Sequence, residues 1–272
     1  MRGFVTFLSL FTLLFFLAPI LCLSNGESTG ETPKEEPAVS FPEWITIGGQ
    51  GVSAADYLTG RLAALGVQGY HPEGLKAVVV AEASRMLFAP EENWYTPEEA
   101  KLRWGDAWFA RYWPELQQAV ADVWGQTLHK NGVPIAAETF PLSWGVTAEG
   151  IECPYDFTAE GFETEISLSL SEVQAIFPRC TDTLTVKKAR TGRVETVTSG
   201  DTALSGEEVA RRLGLPSLCF SITVSEQTVT ILCKGKGNGN GMSLYGANEL
   251  AKRGGDYETI LKTFFPAATV RK

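Results

Sequence analysis

The chain has 272 residues, a formal net charge of -9 at pH 7 and a hydrophobic content of 44%. This length and this apolar fraction suffice for one medium domain or two small lobes with a sizeable core. The acidic balance, without a basic stripe that could displace counterions, argues against nucleic acid as a partner.

The chain starts with an apolar run. Residues 3 to 23 carry no charge, and about 20 residues at about 1.5 Å each span the roughly 30 Å hydrocarbon layer of a membrane. We expect residues 1-23 to be an uncleaved membrane anchor, with a removed signal peptide as the alternative, and Arg2 predicts that the bulk of the chain lies outside the cytoplasm. Residues 24-46 have the composition of a flexible acidic linker, and residues 47-272 are expected to form one extracytoplasmic domain.

Periodicity predicts the elements of this domain. Helical spacing covers residues 52 to 64, 73 to 88, 98 to 111 and 114 to 124. Ser205 and Glu208 have the spacing of a capping box for a helix that Gly214 ends. A last helix carries one apolar stripe, which consists of Tyr257, Ile260, Leu261, Phe264 and Phe265.

Strand patterns occupy residues 133 to 139, 163 to 170, 183 to 188 and 194 to 198, with two further arms near Phe220 and Val229. Helices and strands fall in separate groups instead of alternating. The expected fold class is therefore α+β, with a helical N-terminal part and a mostly antiparallel sheet.

Aromatic residues are concentrated between residues 94 and 113. Trp104, Trp108 and Tyr112 recur every four residues, which is typical of one buried helix face. Flat rings that stack on sugars are the alternative interpretation, since a ring offers apolar area with a polar edge.

Cysteine and histidine give little indication of a reactive site. The cysteines after the apolar run are Cys153, Cys180, Cys219 and Cys233. Residues 219 to 232 have the pattern of a hairpin, so we expect Cys219 and Cys233 to face each other, either as a disulfide or as buried thiols. There is no C-x-x-C, and both histidines are isolated in the sequence, so we expect no metal and no cofactor.

Residues 235 to 247 are the most informative segment, because alternating glycines run directly into a predicted helix start. Glycine permits positive φ and close approach of a ligand, and amides at a helix N-terminus point outward. Neither the P-loop spacing nor the dinucleotide spacing occurs here. The segment favours a loop that faces a ligand, and a glycine-rich hairpin without a ligand is the alternative.

The same segment, which reads GKGNGNGMSLYGA, resembles the signature of the stage II sporulation protein D family, commonly written G-x-G-x-G-H-G-V-G-M-S-Q-Y-G-A. Further similar blocks lie at residues 191 to 194 and 204 to 215, and weaker ones at 57 to 60 and 74 to 77. The resemblance covers roughly residues 52 to 270. It implies a membrane-tethered lytic transglycosylase, which cuts peptidoglycan glycan strands with one acidic residue that moves the proton.

This chain departs from the family pattern at the acid. The family's glutamate lies in a Gly-Val-Val-Ala-x-Glu-Met-Pro block, and its position falls on Leu65. A leucine transfers no proton, and the loss of such help costs about 10²- to 10⁴-fold in rate. Glu82, after an apolar helical run, is the nearest candidate to replace the acid, although a glutamate there usually turns toward water.

The resemblance thus implies a sporulation-associated cell-wall protein that retains the fold without an assigned catalytic residue. Its expected partners are peptidoglycan glycan strands or a wall hydrolase. The alternatives are an active lytic transglycosylase with a relocated carboxylate and a structural component of an envelope complex. The expected binding residues are Gly237, Asn238, Gly239 and Gly241, which would shape a groove, and Ser243 and Tyr245, which would supply polar contacts.

Overall fold

A computed structural model describes residues 41 to 180 and 183 to 272. The predicted membrane segment and most of the predicted linker therefore lie outside the described residues. Within the described part, no helix has the length and apolarity needed to cross a bilayer. Phe41 packs edge to face on Trp124, with ring centroids 5.1 Å apart, so the last residues of the stretch predicted as linker belong to the folded domain.

The helices of the described residues are α1 (Ala54–Leu65), α2 (Pro72–Met86), α3 (Pro97–Trp104), α4 (Asp106–Asp122), α5 (Leu170–Gln174), α6 (Gly206–Leu213), α7 (Leu244–Lys252) and α8 (Tyr257–Phe264). The strands are β1 (Trp44–Ile47), β2 (Gln50–Ser53), β3 (Thr127–Lys130), β4 (Val133–Pro134), β5 (Thr139–Phe140), β6 (Glu163–Ser169), β7 (Thr185–Lys188), β8 (Val194–Ser199), β9 (Thr202–Ser205), β10 (Cys219–Ser225), β11 (Thr228–Lys234), β12 (Met242–Ser243) and β13 (Thr269–Arg271).

The α+β prediction is confirmed, and the strands form several small sheets around two hydrophobic cores. The larger core lies among α1, α2, α4, α7 and α8. The smaller core is enclosed by the sheets β10-β11-β6 and β7-β8-β9 together with α6. Strand pairs are antiparallel, apart from β5 and β12, which run parallel.

The helix predictions are confirmed except around α3 and α4. Gly105 adopts φ +85° and separates the two helices, whereas Pro114 lies inside α4. Glycine tolerates this backbone conformation at no steric cost, so it ends α3 where the periodicity predicted a continuous helix. Ser205 caps α6 as predicted, but Glu208 pairs with arginines of its own helix instead of completing the capping box.

The predicted pairing of two cysteines is wrong by one residue. In the β10–β11 hairpin Cys219 lies opposite Lys234, and Cys233 lies opposite Phe220. Since successive side chains of a strand alternate between faces, the two thiols point to opposite sides of the hairpin. Both cysteines are buried and neither forms a disulfide.

Glu82 is buried as well, which contradicts the expectation that it turns toward water. It is 1% exposed, and its Oε2 accepts a hydrogen bond of 2.8 Å from Nε of Arg61, which is 7% exposed. Its Oε1 accepts another, of 2.6 Å, from the hydroxyl of Thr139. A buried carboxylate is tolerated only when paired in this way. The carboxylate thus joins α1, α2 and β5.

We expect Arg61→Ala to lower the free energy of unfolding by about 3 to 5 kcal/mol, because it leaves the Glu82 carboxylate buried without its charged partner. The double variant Arg61→Met, Glu82→Leu should recover most of this loss. Urea unfolding measures both effects. Arg211→Ala, which breaks a pair at an exposed side chain, is the control and should cost less than about 1 kcal/mol. An equally small cost for Arg61→Ala would contradict the structural role of the buried pair.

Candidate functional site

The glycine loop, residues 235 to 243, is shaped by close contacts with the rest of the chain. Gly237, Gly239 and Gly241 have φ values of +99°, +80° and +77°. A Cβ atom on Gly239 would lie 2.2 Å from the Trp144 ring, and one on Gly241 would lie 2.1 Å from the carbonyl oxygen of Glu138. Both contacts are closer than real Cβ atoms allow, so these positions require glycine whether or not a ligand binds.

Backbone hydrogen bonds hold the loop in place. The amide of Lys236 donates to the carbonyl of Leu142 over 2.8 Å, and the amide of Ala148 donates to the carbonyl of Gly239 over 2.8 Å. The loop then continues into β12, which pairs with β5. The loop is therefore a fixed part of the fold, and the predicted role of its glycines in shaping a groove stays a prediction.

Ser243 is the N-cap of α7 and is fully buried, at 0% exposure. Its Oγ accepts from the amide of Gly246 over 3.1 Å and donates to Oδ2 of Asp156 over 2.5 Å. The amide of Tyr245 also has an internal acceptor, the carbonyl of Pro141. This burial argues against the predicted contact between Ser243 and a ligand, and it leaves the first turn of α7 with few amides to offer an anion.

Asp156 lies at the centre of this arrangement. Its side chain is 0% exposed, and Oδ2 also accepts from the amide of Ser143 over 2.8 Å. The other oxygen, Oδ1, is buried without a hydrogen-bond partner among the described residues. Burial raises the pKa of the carboxyl group, and the hydrogen bonds from Ser243 and Ser143 offset only part of that rise.

Two titratable neighbours of Asp156 are perturbed by the same burial. Desolvation raises the pKa of the Tyr70 hydroxyl to about 12, with smaller contributions from the charges of Asp156 and Tyr245. Desolvation also raises the pKa of the Cys153 thiol to about 12. Both groups are neutral at physiological pH, so Cys153 is an inert thiol and Tyr70 a hydrogen-bond donor.

An aromatic and basic surface lies beside this buried cluster. The hydroxyl of Tyr245 lies 3.3 Å from that of Thr158. The guanidinium group of Arg253 stacks 3.8 Å from the ring centroid of Tyr155, while it pairs with Glu249 over 2.6 Å. Tyr245 and Tyr155 are half-buried, and Thr158 and Arg253 are exposed. This surface can present ring faces and hydrogen-bond donors to a ligand.

Asn238, which the sequence resemblance predicts at the position of the family's histidine, is exposed and lies beside a carboxylate. Its Nδ2 donates to Oε2 of Glu138 over 3.3 Å, and its Oδ1 accepts from the amide of Asn240 over 3.0 Å. A second carboxylate, that of the exposed Glu149, lies 3.4 Å from the amide of Gly241. The outer side of the loop therefore has two solvent-accessible carboxylates that the sequence analysis missed.

Leu65, which the sequence resemblance predicts at the position of the family's acid, ends α1 and packs half-buried against the larger core. It lies one turn after Arg61, so the two residues share a face of the helix. Gly66 follows it in a left-handed conformation, with φ +71°, that closes the helix. The structure therefore places a hydrocarbon side chain, supported by the core, at this position.

Sequence patterns offered little indication of Asp156. It follows Cys153-Pro154-Tyr155 in a stretch without helical or strand periodicity, and only the folded chain brings it against Ser143 and Ser243, which lie 13 and 87 residues away. Tyr70 and Arg253 were missed as well. Each lies in or next to a turn that ends a helix, where the sequence has no periodic pattern. A polar residue between two aromatic residues, Tyr155 and Phe157, was the one available signal.

Two known proteins are similar to the chain over most of its length. The chain is 25% identical to stage II sporulation protein D of Bacillus subtilis (strain 168) over 285 aligned positions, which cover 88% of this chain and 81% of the relative. It is 26% identical to stage II sporulation protein D of Bacillus amyloliquefaciens over 285 positions, which cover 90% of this chain and 82% of that relative. No protein-family model matches the chain. The similarity thus spans most of this chain and most of each relative at low sequence identity, which is typical of divergent relatives.

Gly241→Ala should destabilise the fold more than a substitution that only forces an alanine into positive φ. Gly214→Ala is the matched control, because Gly214 has φ +64° and an added Cβ atom there would meet nothing within 4 Å, and a left-handed alanine costs about 1 to 2 kcal/mol. At Gly241 the contact with the Glu138 carbonyl adds to this cost. Chemical unfolding of both variants gives the difference, and equal losses would contradict the close packing of the loop.

Asp156→Asn should change how stability depends on pH. The folded-state pKa of Asp156 lies above the ordinary value of an aspartate, which is about 4. The stability that this carboxyl contributes is therefore fully present below about pH 4 and is lost as the pH rises through the raised folded-state pKa. Unfolding free energies measured across this range should show the wild type losing stability relative to the variant as the pH rises. A relative gain with rising pH would contradict a raised pKa.

Proposed function

Because the chain is a divergent relative of stage II sporulation protein D, we propose that it is a sporulation-associated protein that binds peptidoglycan outside the cytoplasm without cutting it. In this proposal the apolar run at residues 3 to 23 tethers the chain to the membrane, and the domain reaches the wall beyond it. The glycan strand is the ligand, and a wall hydrolase is the alternative partner.

The proposal that catalysis is absent rests on Leu65. The resemblance places Leu65 at the position of the family's proton-transferring glutamate, and its hydrocarbon side chain packs against the larger core. Two buried carboxyl groups of the domain are engaged inside the protein: Glu82 with Arg61 and Thr139, and Asp156 with Ser143 and Ser243. A general acid must come within hydrogen-bond reach of the leaving oxygen, and these two groups are turned inward.

The surface around Tyr245 supports the proposal of glycan binding. Tyr245 and Tyr155 offer half-buried rings, and the exposed guanidinium group of Arg253 offers hydrogen-bond donors. A sugar ring has an apolar face and a rim of hydroxyl groups, so it suits rings flanked by polar groups. Asn238 adds an exposed amide at the outer side of the loop.

One observation favours a second candidate function, an active lytic transglycosylase with a relocated acid. Glu138 is half-buried at the loop, and its carboxylate accepts a hydrogen bond from Asn238. It could therefore reach a ligand that lies on the loop, unlike Glu82. A glutamate within hydrogen-bond reach of the leaving oxygen is a common general acid.

Incubation of the full chain, purified in mild detergent, with isolated sacculi separates these functions. We expect the protein to pellet with the sacculi and to release no anhydro-muropeptides, which chromatography of the supernatant would reveal. Tyr245→Ala should weaken pelleting by about two- to tenfold if its ring packs on the glycan.

Other results of the same experiment would favour one of the alternative functions. Release of anhydro-muropeptides that Glu138→Gln abolishes would establish the relocated acid, with Glu163→Gln, an exposed glutamate in β6, as the matched control. Failure of the wild type to pellet would overturn glycan binding and favour a structural component of an envelope complex.

A further inference from the structure

Four aromatic side chains form a continuous row that the proposed loop site does not use. The aromatic row consists of Tyr95, Trp104, Trp108 and Tyr112, and each of its members is half-buried. Tyr95 meets Trp104 edge to face at 5.1 Å between ring centroids, Trp104 stacks on Trp108 at 4.5 Å, and Trp108 meets Tyr112 at 5.6 Å. The rings thus follow one another without a gap across α3 and α4.

The backbone holds the row in place at two glycines. The amide of Tyr95 donates to the carbonyl of Gly60 over 3.3 Å, and a Cβ atom on Gly60 would lie 2.0 Å from the Tyr95 carbonyl oxygen. Gly105 makes the turn after which the Trp108 ring lies nearly parallel to that of Trp104, at 26°. A row fixed by the backbone loses little conformational entropy when it binds a ligand.

Two guanidinium groups extend the row at its ends. Arg103 lies 5.4 Å from the ring centroid of Tyr95 and 5.5 Å from that of Trp104, and Arg111 lies 4.9 Å from that of Tyr112. Both arginines are exposed. Hydrogen-bond donors therefore border the apolar ring faces, in a chain whose net charge is -9, and they suit a ligand that carries oxygen acceptors or carboxylates.

The row leads into a groove of about 740 Å³, to which Tyr112 and Arg111 contribute one side. The polar side chains of Glu115, Gln118 and Asp122 lie along the same helix and also border the groove. Tyr70 lies on the opposite side, and its neighbours Asp156 and Tyr245 belong to the loop site. Tyr70 thus lies next to both the groove and the loop site.

We propose that the aromatic row and this groove form a binding surface for a glycan strand, which continues from the loop site along α4. The inference rests on the proposed function, since it assigns a further part of the same ligand to a second surface. Half-buried rings supply the apolar faces on which sugars stack, and the acidic, amide and guanidinium groups of the groove supply hydrogen bonds for their hydroxyl and acetamido groups. A row packed entirely in the core would leave no ring face for a ligand, but each of these rings retains exposed area.

The test measures binding of the full chain, purified in mild detergent, to sacculi and to glycan strands from which the stem peptides have been removed. Trp108→Ala and Tyr112→Ala should each weaken binding to both ligands by about two- to tenfold. Trp44→Ala, which removes an exposed tryptophan outside the row, 68% exposed, should leave the affinity unchanged. Thermal unfolding checks that the variants are folded, and Tyr112→Ala is the safer of the two because α4 directs Trp113 and Leu116, not Tyr112, into the core.

Each outcome bears on a different claim. If the wild type does not bind sacculi, the proposed function fails and this inference fails with it. If the wild type binds but both row variants bind as well as Trp44→Ala, the row is excluded while the loop site stands. Binding that requires the stem peptides would overturn the assignment of the surface to glycan. Binding of the wild type to peptide-free strands, weakened in both row variants, supports it.

Discussion

The buried carboxyl group of Asp156 is the constraint on which the candidate site depends. Its Oδ2 accepts hydrogen bonds from the amide of Ser143 and from the hydroxyl of Ser243. These bonds connect the segment after β5 to the start of α7. Removing a carboxyl group from water is costly unless hydrogen bonds compensate, so the surrounding backbone has to keep its present position. The glycine loop lies between these tied segments, and its conformation follows from them.

What the site can do follows from two carboxyl groups that face inward and one surface that faces the solvent. Glu82 joins α1, α2 and β5 through Arg61 and Thr139, while Asp156 joins the segment after β5 to the start of α7. Both groups serve the framework, and the exposed side presents rings, an amide and a guanidinium group. Such a surface is better suited to holding a polar polymer than to transferring a proton, except where Glu138 meets Asn238.

The sequence predicted the parts of the fold that depend on local patterns. Helix ends marked by Ser53, Gly66 and Gly214 lie at or near the predicted positions, because capping and left-handed glycine are properties of a few neighbouring residues. Residues 133 to 139 were predicted as one strand, but Pro134 donates no hydrogen bond and only short strands form at either end.

The site itself was harder to predict, because its contacts join residues far apart in the chain. The glycine segment was found from its composition. Glycine is required at positions 239 and 241, however, because a side chain there would collide with Trp144 and with the carbonyl of Glu138, respectively, and periodicity does not reveal such contacts. The cysteine pairing failed for a related reason: a shift of one residue in strand register moves a side chain to the other face.

Pro114 inside α4 affects the groove that it borders. Proline has no amide hydrogen, so the carbonyl oxygen of Ala110, four residues earlier, lacks the donor that a continuous helix would give it. Ala110 is exposed, so water can donate the missing hydrogen bond to that oxygen. Because the acceptor belongs to the main chain, replacing the side chain of Ala110 would not remove it.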